Sequence, residues 1–318
     1  MKKTMKRSVL WLTVIALNMA LIACSADSER TDDTNSDCYA AESLIDSIGF
    51  IPTDPATFKF YYDQEGRVTK YRMNTAYSNT ILGSDTVTFD YKEGAIVMQM
   101  RLLKFAFNGY VPYKEPSTGT FYLRNGLISC SVILNTGTHY KDNVVYQYDQ
   151  GRLASFKAYR THIDLATKYD LNYVMQTKWT GGNLTGMTGL DGNGDLTYEV
   201  TYTYGEHPLR ALLPYLTFDY MLDYDKTYIS VLANMGLFGK LPEKELLATN
   251  IVCPQRRLRY EGKFVFQYDT QGFPLMYEVY QDTWYKGTHY DEATQETIEL
   301  PEEKTSSRHD YWFNIKWK

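Results

Sequence analysis

The amino-acid sequence predicts an all-β protein: a long antiparallel meander of about 14–16 strands forming a curved sheet or barrel-like shell, with a short, partly helical insertion. Three observations carry this expectation. The 318 residues include 29 Tyr beside 14 Phe and 5 Trp, and tyrosine suits half-buried pleated surfaces where the ring packs and the hydroxyl stays wet. Apolar residues alternate with polar ones at period two, which places them on one face of a strand. Each zigzag ends in the same local pattern, a ring-bearing residue, a short polar turn with glycine and then an aliphatic residue, and this unit recurs along the chain.

The copies follow in order. Phe58/Phe60/Tyr62 precede Asp63-Gln64-Glu65-Gly66 and Val68, and Val87/Phe89/Tyr91 precede Lys92-Glu93-Gly94 and Ile96. Phe121/Leu123 lead into Arg124-Asn125-Gly126 and Leu127, and Val144/Tyr146/Tyr148 into Asp149-Gln150-Gly151 and Leu153. Met175/Trp179 precede Gly181-Gly182 and Leu184, Val200/Tyr202/Tyr204 precede Gly205 and Leu209, and Phe264/Phe266/Tyr268 precede Asp269-Thr270-Gln271-Gly272 and Leu275. Glycine supplies the positive φ that a tight hairpin needs, so each copy reads as two antiparallel strands. The pre-turn residues Tyr62, Tyr91, Tyr148, Trp179, Tyr204 and Tyr268 are all aromatic, and Leu123 is the exception.

The spacing is 25–32 residues except for the last interval of 64, which marks an insertion over residues 209–255. Within it, Tyr228 to Met235 suggests one or two helical turns stopped by Gly236 and Gly239, and Leu241 to Leu246 suggests another. The insertion either fills the concave side of the shell or forms a lid outside it or at one edge. A final strand places Tyr311, Phe313, Ile315 and Trp317 on one face. Residues 39–53, with Tyr39, Leu44, Ile45 and Ile48, read as a short helical lead-in, and residues 54–318 as one β-shell domain. Closing a long twisted meander removes its adhesive edges.

The first 23 residues are an address rather than part of the fold. Lys2, Lys3, Lys6 and Arg7 precede an apolar run from Val9 to Ala23 that ends Leu21-Ile22-Ala23-Cys24. This resembles a bacterial lipobox, which implies cleavage before Cys24 and lipid on that residue, leaving the chain anchored to a membrane. Removing the four basic residues moves the net charge from −5 to −9. With no basic run, nucleic acid is excluded as a partner, as is electrostatic adhesion to anionic lipid. Residues 24–38 read as the lipidated cysteine and a flexible acidic tether (Asp27, Glu29, Asp32, Asp33, Asp37). Acid-rich segments in this position are similar to the surface-export signal of Bacteroidetes-type lipoproteins, and Ser25 lacks the aspartate associated with inner-membrane retention. The expected location is the cell envelope, as an outer-membrane lipoprotein on either the periplasmic face or the cell surface. Mean hydropathy of −0.41 excludes a polytopic helical membrane protein.

Two copies, Tyr62-Asp63-Gln64-Glu65-Gly66-Arg67-Val68-Thr69 and Tyr148-Asp149-Gln150-Gly151-Arg152-Leu153, are similar to the tyrosine–aspartate repeats of bacterial shell-forming surface proteins. The whole chain resembles a family of uncharacterised Bacteroidetes-type lipoproteins described as having a porin-like fold. The likeness covers the lipobox, the hairpins, Gly236-Leu237-Phe238-Gly239-Lys240-Leu241-Pro242 and the aromatic closing strand. It implies a many-stranded antiparallel shell with no assigned activity and no catalytic residues to carry over. A barrel that already spans the membrane needs no lipid anchor, so the expectation is a soluble shell.

Recognisable catalytic signatures are missing. The sequence has no G-x-S-x-G elbow, no H-E-x-x-H, no P-loop and no nucleotide-binding glycine fingerprint. His139, His162, His207, His289 and His309 are scattered, with no pair at ligand spacing. Asp191-Gly192-Asn193-Gly194-Asp195 begins like a calcium loop but lacks its turn glycine and bidentate acid, so a hairpin turn is expected. Glu296, Glu299, Glu302 and Glu303 read as a solvated loop near Pro301. Cys38, Cys130 and Cys253 allow one bridge at most. No cofactor or metal is expected.

The leading functional expectation is a non-enzymatic envelope lipoprotein whose concave aromatic face holds a glycan, peptide or lipid. Tyr62, Tyr91, Tyr148, Trp179, Tyr204 and Tyr268 are the candidate contacts, and Cys24 is the lipidation site. The alternative is a structural or interaction subunit docking to an outer-membrane protein partner by a sheet edge or loop tips. An enzyme with an unrecognised site is the third reading.

Overall fold

The computed structural model describes residues 44–50, 58–77, 80–101, 103–106, 109–112, 116–135, 139–163, 169–211, 227–291 and 295–318, all within the unit Cys38–Lys318. The basic leader, Cys24 and the acidic tether lie outside the described residues.

The strands are β1 (Ile45–Phe50), β2 (Phe58–Tyr62), β3 (Val68–Tyr77), β4 (Thr80–Lys92), β5 (Ala95–Arg101), β6 (Leu103–Ala106), β7 (Gly109–Pro112), β8 (Ser117–Arg124) and β9 (Leu127–Asn135). They continue as β10 (Tyr140–Asp149), β11 (Arg152–His162), β12 (Asp170–Thr180), β13 (Asn183–Asp191) and β14 (Leu196–Pro208). After helix α1 (Thr227–Asn234) come β15 (Lys244–Cys253), β16 (Leu258–Tyr268), β17 (Pro274–Asp291) and β18 (Glu296–Trp317). Sixteen of them form a closed antiparallel barrel in chain order, shut where β1 pairs with both β2 and β18. Strands β6 and β7 form a separate small hairpin between β5 and β8. The expected all-β shell is therefore a barrel rather than an open sheet.

Six of the expected glycine turns join consecutive strands at one end of the barrel, for example Gly66 at φ +78° and Gly151 at φ +74°. This end is called the turn rim below. The seventh differs: β14 runs straight through Gly205 to Pro208. Gly205 serves space rather than a turn, because a β-carbon there would press on the Glu245 side chain. The expected insertion also ends sooner, since Lys244–Cys253 is a barrel strand and Pro254–Arg256 a 3-10 turn.

Two further expectations are corrected. Ile45–Phe50 is a strand, not a helix. A register shift between Ile45 and Ser47 lets Ile45 and Ile48 both be buried, so a bulge mimics the three-residue spacing of a helix. The acidic stretch from Glu296 is the first part of β18, not a loop. Cross-strand ion pairs hold it there, Lys286 with Glu299 and Arg259 with Glu302 at 2.7 Å. Asp191–Asp195 is a turn, as expected, with the Asp191 carboxylate accepting the N–H groups of Asn193 and Asp195. Those backbone donors hold its pKa below the usual carboxylate value. Cys130 and Cys253 are free thiols.

Barrels of this strand number normally enclose a wide lumen. Here the inner wall is apolar and packed: Phe58, Tyr71, Met98, Phe121, Val144, Met175 and Tyr277 are all essentially inaccessible. Part of the filling is α1, whose residues Tyr228 to Ala233 are buried on every side, the mark of a helix enclosed by protein. Tyr228 meets Phe121 at 5.9 Å between ring centroids, and Phe238, just beyond α1, meets Tyr146 at 5.2 Å.

The outward positions of the same strands carry Arg72, Thr88, Gln99, Gln147, Lys157, Gln176, Lys178, Glu199, Lys263 and Gln267, all exposed. A spanning barrel presents an apolar band about 25 Å tall. The described wall is instead apolar within and predominantly polar without, with Tyr61, Tyr122 and Val145 among its exposed outward residues.

Candidate functional site

The sequence-predicted aromatics converge on one place, the turn rim, on every second strand. The polar atoms of five of them, all but Tyr268, are engaged by the barrel itself. The Tyr62 hydroxyl donates to the Ile45 carbonyl at 2.6 Å, Tyr91 to Val68 at 2.7 Å, Tyr148 to Ile128 at 2.7 Å and Tyr204 to Leu184 at 2.7 Å. The indole N–H of Trp179 donates to Leu153 at 2.9 Å, and that of Trp317 to Pro274 at 2.8 Å. In each case the acceptor sits at the start of the preceding strand, so the ring ties one hairpin to the one before it.

This gives the sequence repeat a physical cause. The pre-turn position needs a large apolar body with a donor at its tip, which Tyr and Trp supply. The aliphatic residue after the preceding turn offers its carbonyl. Leu123 lacks such a donor, and there a backbone bond from Leu123 N–H to the Gly94 carbonyl spans 2.8 Å.

Burial pushes the hydroxyls of Tyr62, Tyr91, Tyr148 and Tyr204 above the ordinary value near 10. The folded state thus holds these protons more tightly than the unfolded chain does. Their stabilisation is complete below pH 10 and is lost as the pH rises beyond it. Alkaline titration followed by circular dichroism should show cooperative unfolding in that direction. Tyr148→Phe should cost about 1 kcal/mol in urea unfolding, the worth of one hydrogen bond.

Tyr268 is the aromatic without a latch. Its hydroxyl is buried without a hydrogen-bond partner among the described residues, and its ring stacks on His207 at 4.3 Å. Nearby Glu245 is raised above the usual carboxylate range by burial, an effect partly offset by the His207 charge and backbone N–H.

The insertion covers this rim. From Leu237 to Lys244 the chain runs along the hairpin turns as a strap. The Ile128 N–H donates to Leu237 at 2.9 Å, Lys240 N–H to Gly151 at 2.7 Å, Glu243 N–H to Gly182 at 3.3 Å and Lys244 N–H to the Asn183 side chain at 2.9 Å. Of the alternatives left open by the sequence, the described part, residues 227–243, fills and plugs the shell.

The opposite end holds a group that the sequence reading missed. Asp142 and Arg160 face each other across β10 and β11 on the inner wall, joined by two bonds of 2.7 and 3.0 Å. The Asp142 side chain is only 3% exposed. Further toward the mouth, Tyr140 pairs with His162, and its ring lies edge-on to the imidazole at 5.6 Å and under the Arg160 guanidinium at 5.2 Å. His139 stacks on His162 at 6.2 Å, so two histidines that look scattered in the sequence are neighbours. The turn at Gln150-Gly151 was the available signal, but a bulge at Gln147/Tyr148 shifts the register by one. Tyr140 keeps 38% of its surface exposed and could stack against a flat ligand.

On the outer wall, Glu278 accepts from the Tyr280 hydroxyl at 2.5 Å and lies 3.1 Å from the His309 ring nitrogen. That bond raises the Tyr280 hydroxyl above its ordinary pKa. The described residues contain no cluster of three or more metal-ligating side chains.

No protein-family model matches the chain, and neither does any curated protein. The solved structures similar in fold include two porin-like proteins. A porin-like protein from Bacteroides uniformis matches with a TM-score of 0.53 at 12% identity, over 87% of this chain and 99% of that one. A porin-like protein from Bacteroides vulgatus matches with a TM-score of 0.51 at 13% identity, over 87% and 99%. At such identities the likeness establishes a shared fold and nothing finer.

Proposed function

We propose that the chain is a non-enzymatic, lipid-anchored envelope barrel that acts as an interaction subunit rather than a channel. One observation carries the reading: the barrel is filled and plugged within and polar without. Among the described residues the filled interior leaves no lumen for solute, and a predominantly polar wall is a poor fit to lipid. Five of the six rings expected to hold a ligand on the concave face, all but Tyr268, are tied into the turn rim. The anchor is Cys24, supported by its basic leader and lipobox-like run. Recognition then falls to the exposed surface and to the mouth away from the plug.

The test uses the chain from Ser25 onward, which contains the whole barrel, beside the full-length protein. The truncated form should stay in solution without detergent and give no conductance in planar bilayers. The full-length protein should fractionate with membranes, and Cys24→Ser should release it. Conductance steps or a detergent requirement would overturn the non-channel reading. Glycan binding abolished by Tyr140→Ala would move the function to the mouth instead.

A further inference from the structure

Strands β17 and β18 continue past the rest of the wall. The last residue of β16 to pair with them is Leu258, opposite Tyr285. Beyond it, residues 286–291 and 296–302 form a two-stranded arm. A hairpin of two strands is marginal in water unless one face is covered.

The two faces of this arm differ sharply. The face continuing the outer wall is self-satisfied: Lys286 pairs with Glu299, Arg259 with Glu302 and Glu261, and Lys304 with Asp282. The face continuing the inner wall carries Tyr285, Ile298 and Leu300, exposed by 43%, 45% and 42%. Leu300 and Tyr285 close over Gly287, where a β-carbon would come within 3.3 Å of Leu300, and His289 lies opposite Ile298. Glu296 and Glu303 lie on the same face, both exposed and with no ion pair among the described residues. The inner face therefore carries three exposed apolar side chains together with two acids that have no ion pair among the described residues, whereas the outer face combines paired charges with the exposed ring of Tyr290.

The edge of the arm is poorly suited to strand addition. Pro301 lacks an N–H, and Glu302, Glu303 and Lys304 follow it, features that blunt exposed edges. A second copy of the chain is disfavoured because it would bring the same unpaired acids together.

Building on the interaction reading above, we infer that the inner face of the β17–β18 arm docks a basic, amphipathic peptide segment of a partner protein. Its apolar side chains would cover Tyr285, Ile298 and Leu300, while its lysines or arginines meet Glu296 and Glu303. Complementarity of both kinds favours this class of partner.

The probe is a labelled ten-residue peptide of alternating Lys and Leu, with Glu–Leu and Lys–Ser peptides as controls. Fluorescence anisotropy with the chain from Ser25 onward should show the Lys–Leu peptide binding at least tenfold more tightly than either control. The affinity should fall as salt rises. Ile298→Lys with Leu300→Lys, and separately Glu296→Lys with Glu303→Lys, should each weaken binding at least tenfold. Two sets of substitutions should leave it unchanged: Tyr290→Lys on the other face of the arm, and the charge-matched pair Glu93→Lys with Asp149→Lys at the turn rim. Equal binding of the Glu–Leu peptide, insensitivity to the inner-face variants, or equal loss in the controls would overturn the inference. Such a failure, with conductance still absent, rejects the arm alone, whereas conductance rejects the non-channel reading whatever the peptide does.

Discussion

Arg160→Met should lower the unfolding free energy of the barrel by about 3–5 kcal/mol, the usual penalty for stranding one member of a buried ion pair. The Asp142 carboxylate is enclosed on the inner wall, and both its oxygens accept from Arg160. Methionine fills the space left by the arginine stem but offers no donor, so the carboxylate loses its charge partner in a place water barely reaches. Urea unfolding monitored by circular dichroism would measure the loss. Adding Asp142→Leu to the same protein should recover much of it, because a packed apolar pair is often no worse than a buried ionic one. A cost below about 1 kcal/mol, the range of solvated pairs, would contradict the enclosed geometry.

Gly239→Ala should detach the strap that closes the turn rim. Gly239 has φ +82°, and a β-carbon there would collide with the Gly151 backbone oxygen. Neither backbone can give way cheaply, since Lys240 N–H bonds that same oxygen and Arg152 bridges to Gly239. Left-handed strain in a non-glycine residue alone costs on the order of 1–3 kcal/mol, and the collision adds to it. Limited proteolysis should reveal new cleavage between residues 227 and 243. Gly94→Ala separates the two causes. Its φ is +69°, yet nothing lies within 4 Å of the added carbon, so it should lose only the strain of about 1 kcal/mol and leave the strap protected.

Much of this architecture was legible because its signals are local. A ring, a glycine turn and an aliphatic residue specify a hairpin without reference to the rest of the chain, and six such turns fall where the repeat places them. The long interval before Tyr268 likewise announced the insertion. What escaped depends on distant partners. Ile45 and Ile48 have helix-like spacing until the bulge against β18 is known. The acids after Glu296 look solvated until Lys286 and Arg259 stand opposite them. Gly205 has the appearance of a turn residue, but it makes room for Glu245, 40 residues further on in sequence. The rim aromatics were singled out by their pattern, and that pattern encodes hairpin-to-hairpin attachment. The cluster of Asp142, Arg160, Tyr140 and His162 has no sequence signature, because its members meet only through a shifted register.

The barrel's final seam joins its first strand to its last: Ile45 stands opposite Trp317, with Ser47 and Ile48 making the contact to β2 on the other side. Every other neighbouring pair of strands in the wall is consecutive in the chain or separated by a single excursion. A polypeptide emerging from a ribosome, amino end first, can therefore assemble its hairpins as they appear, while closure waits for β18. Removing β18 would leave β1 and β17 as unpaired edges of an open, aggregation-prone sheet.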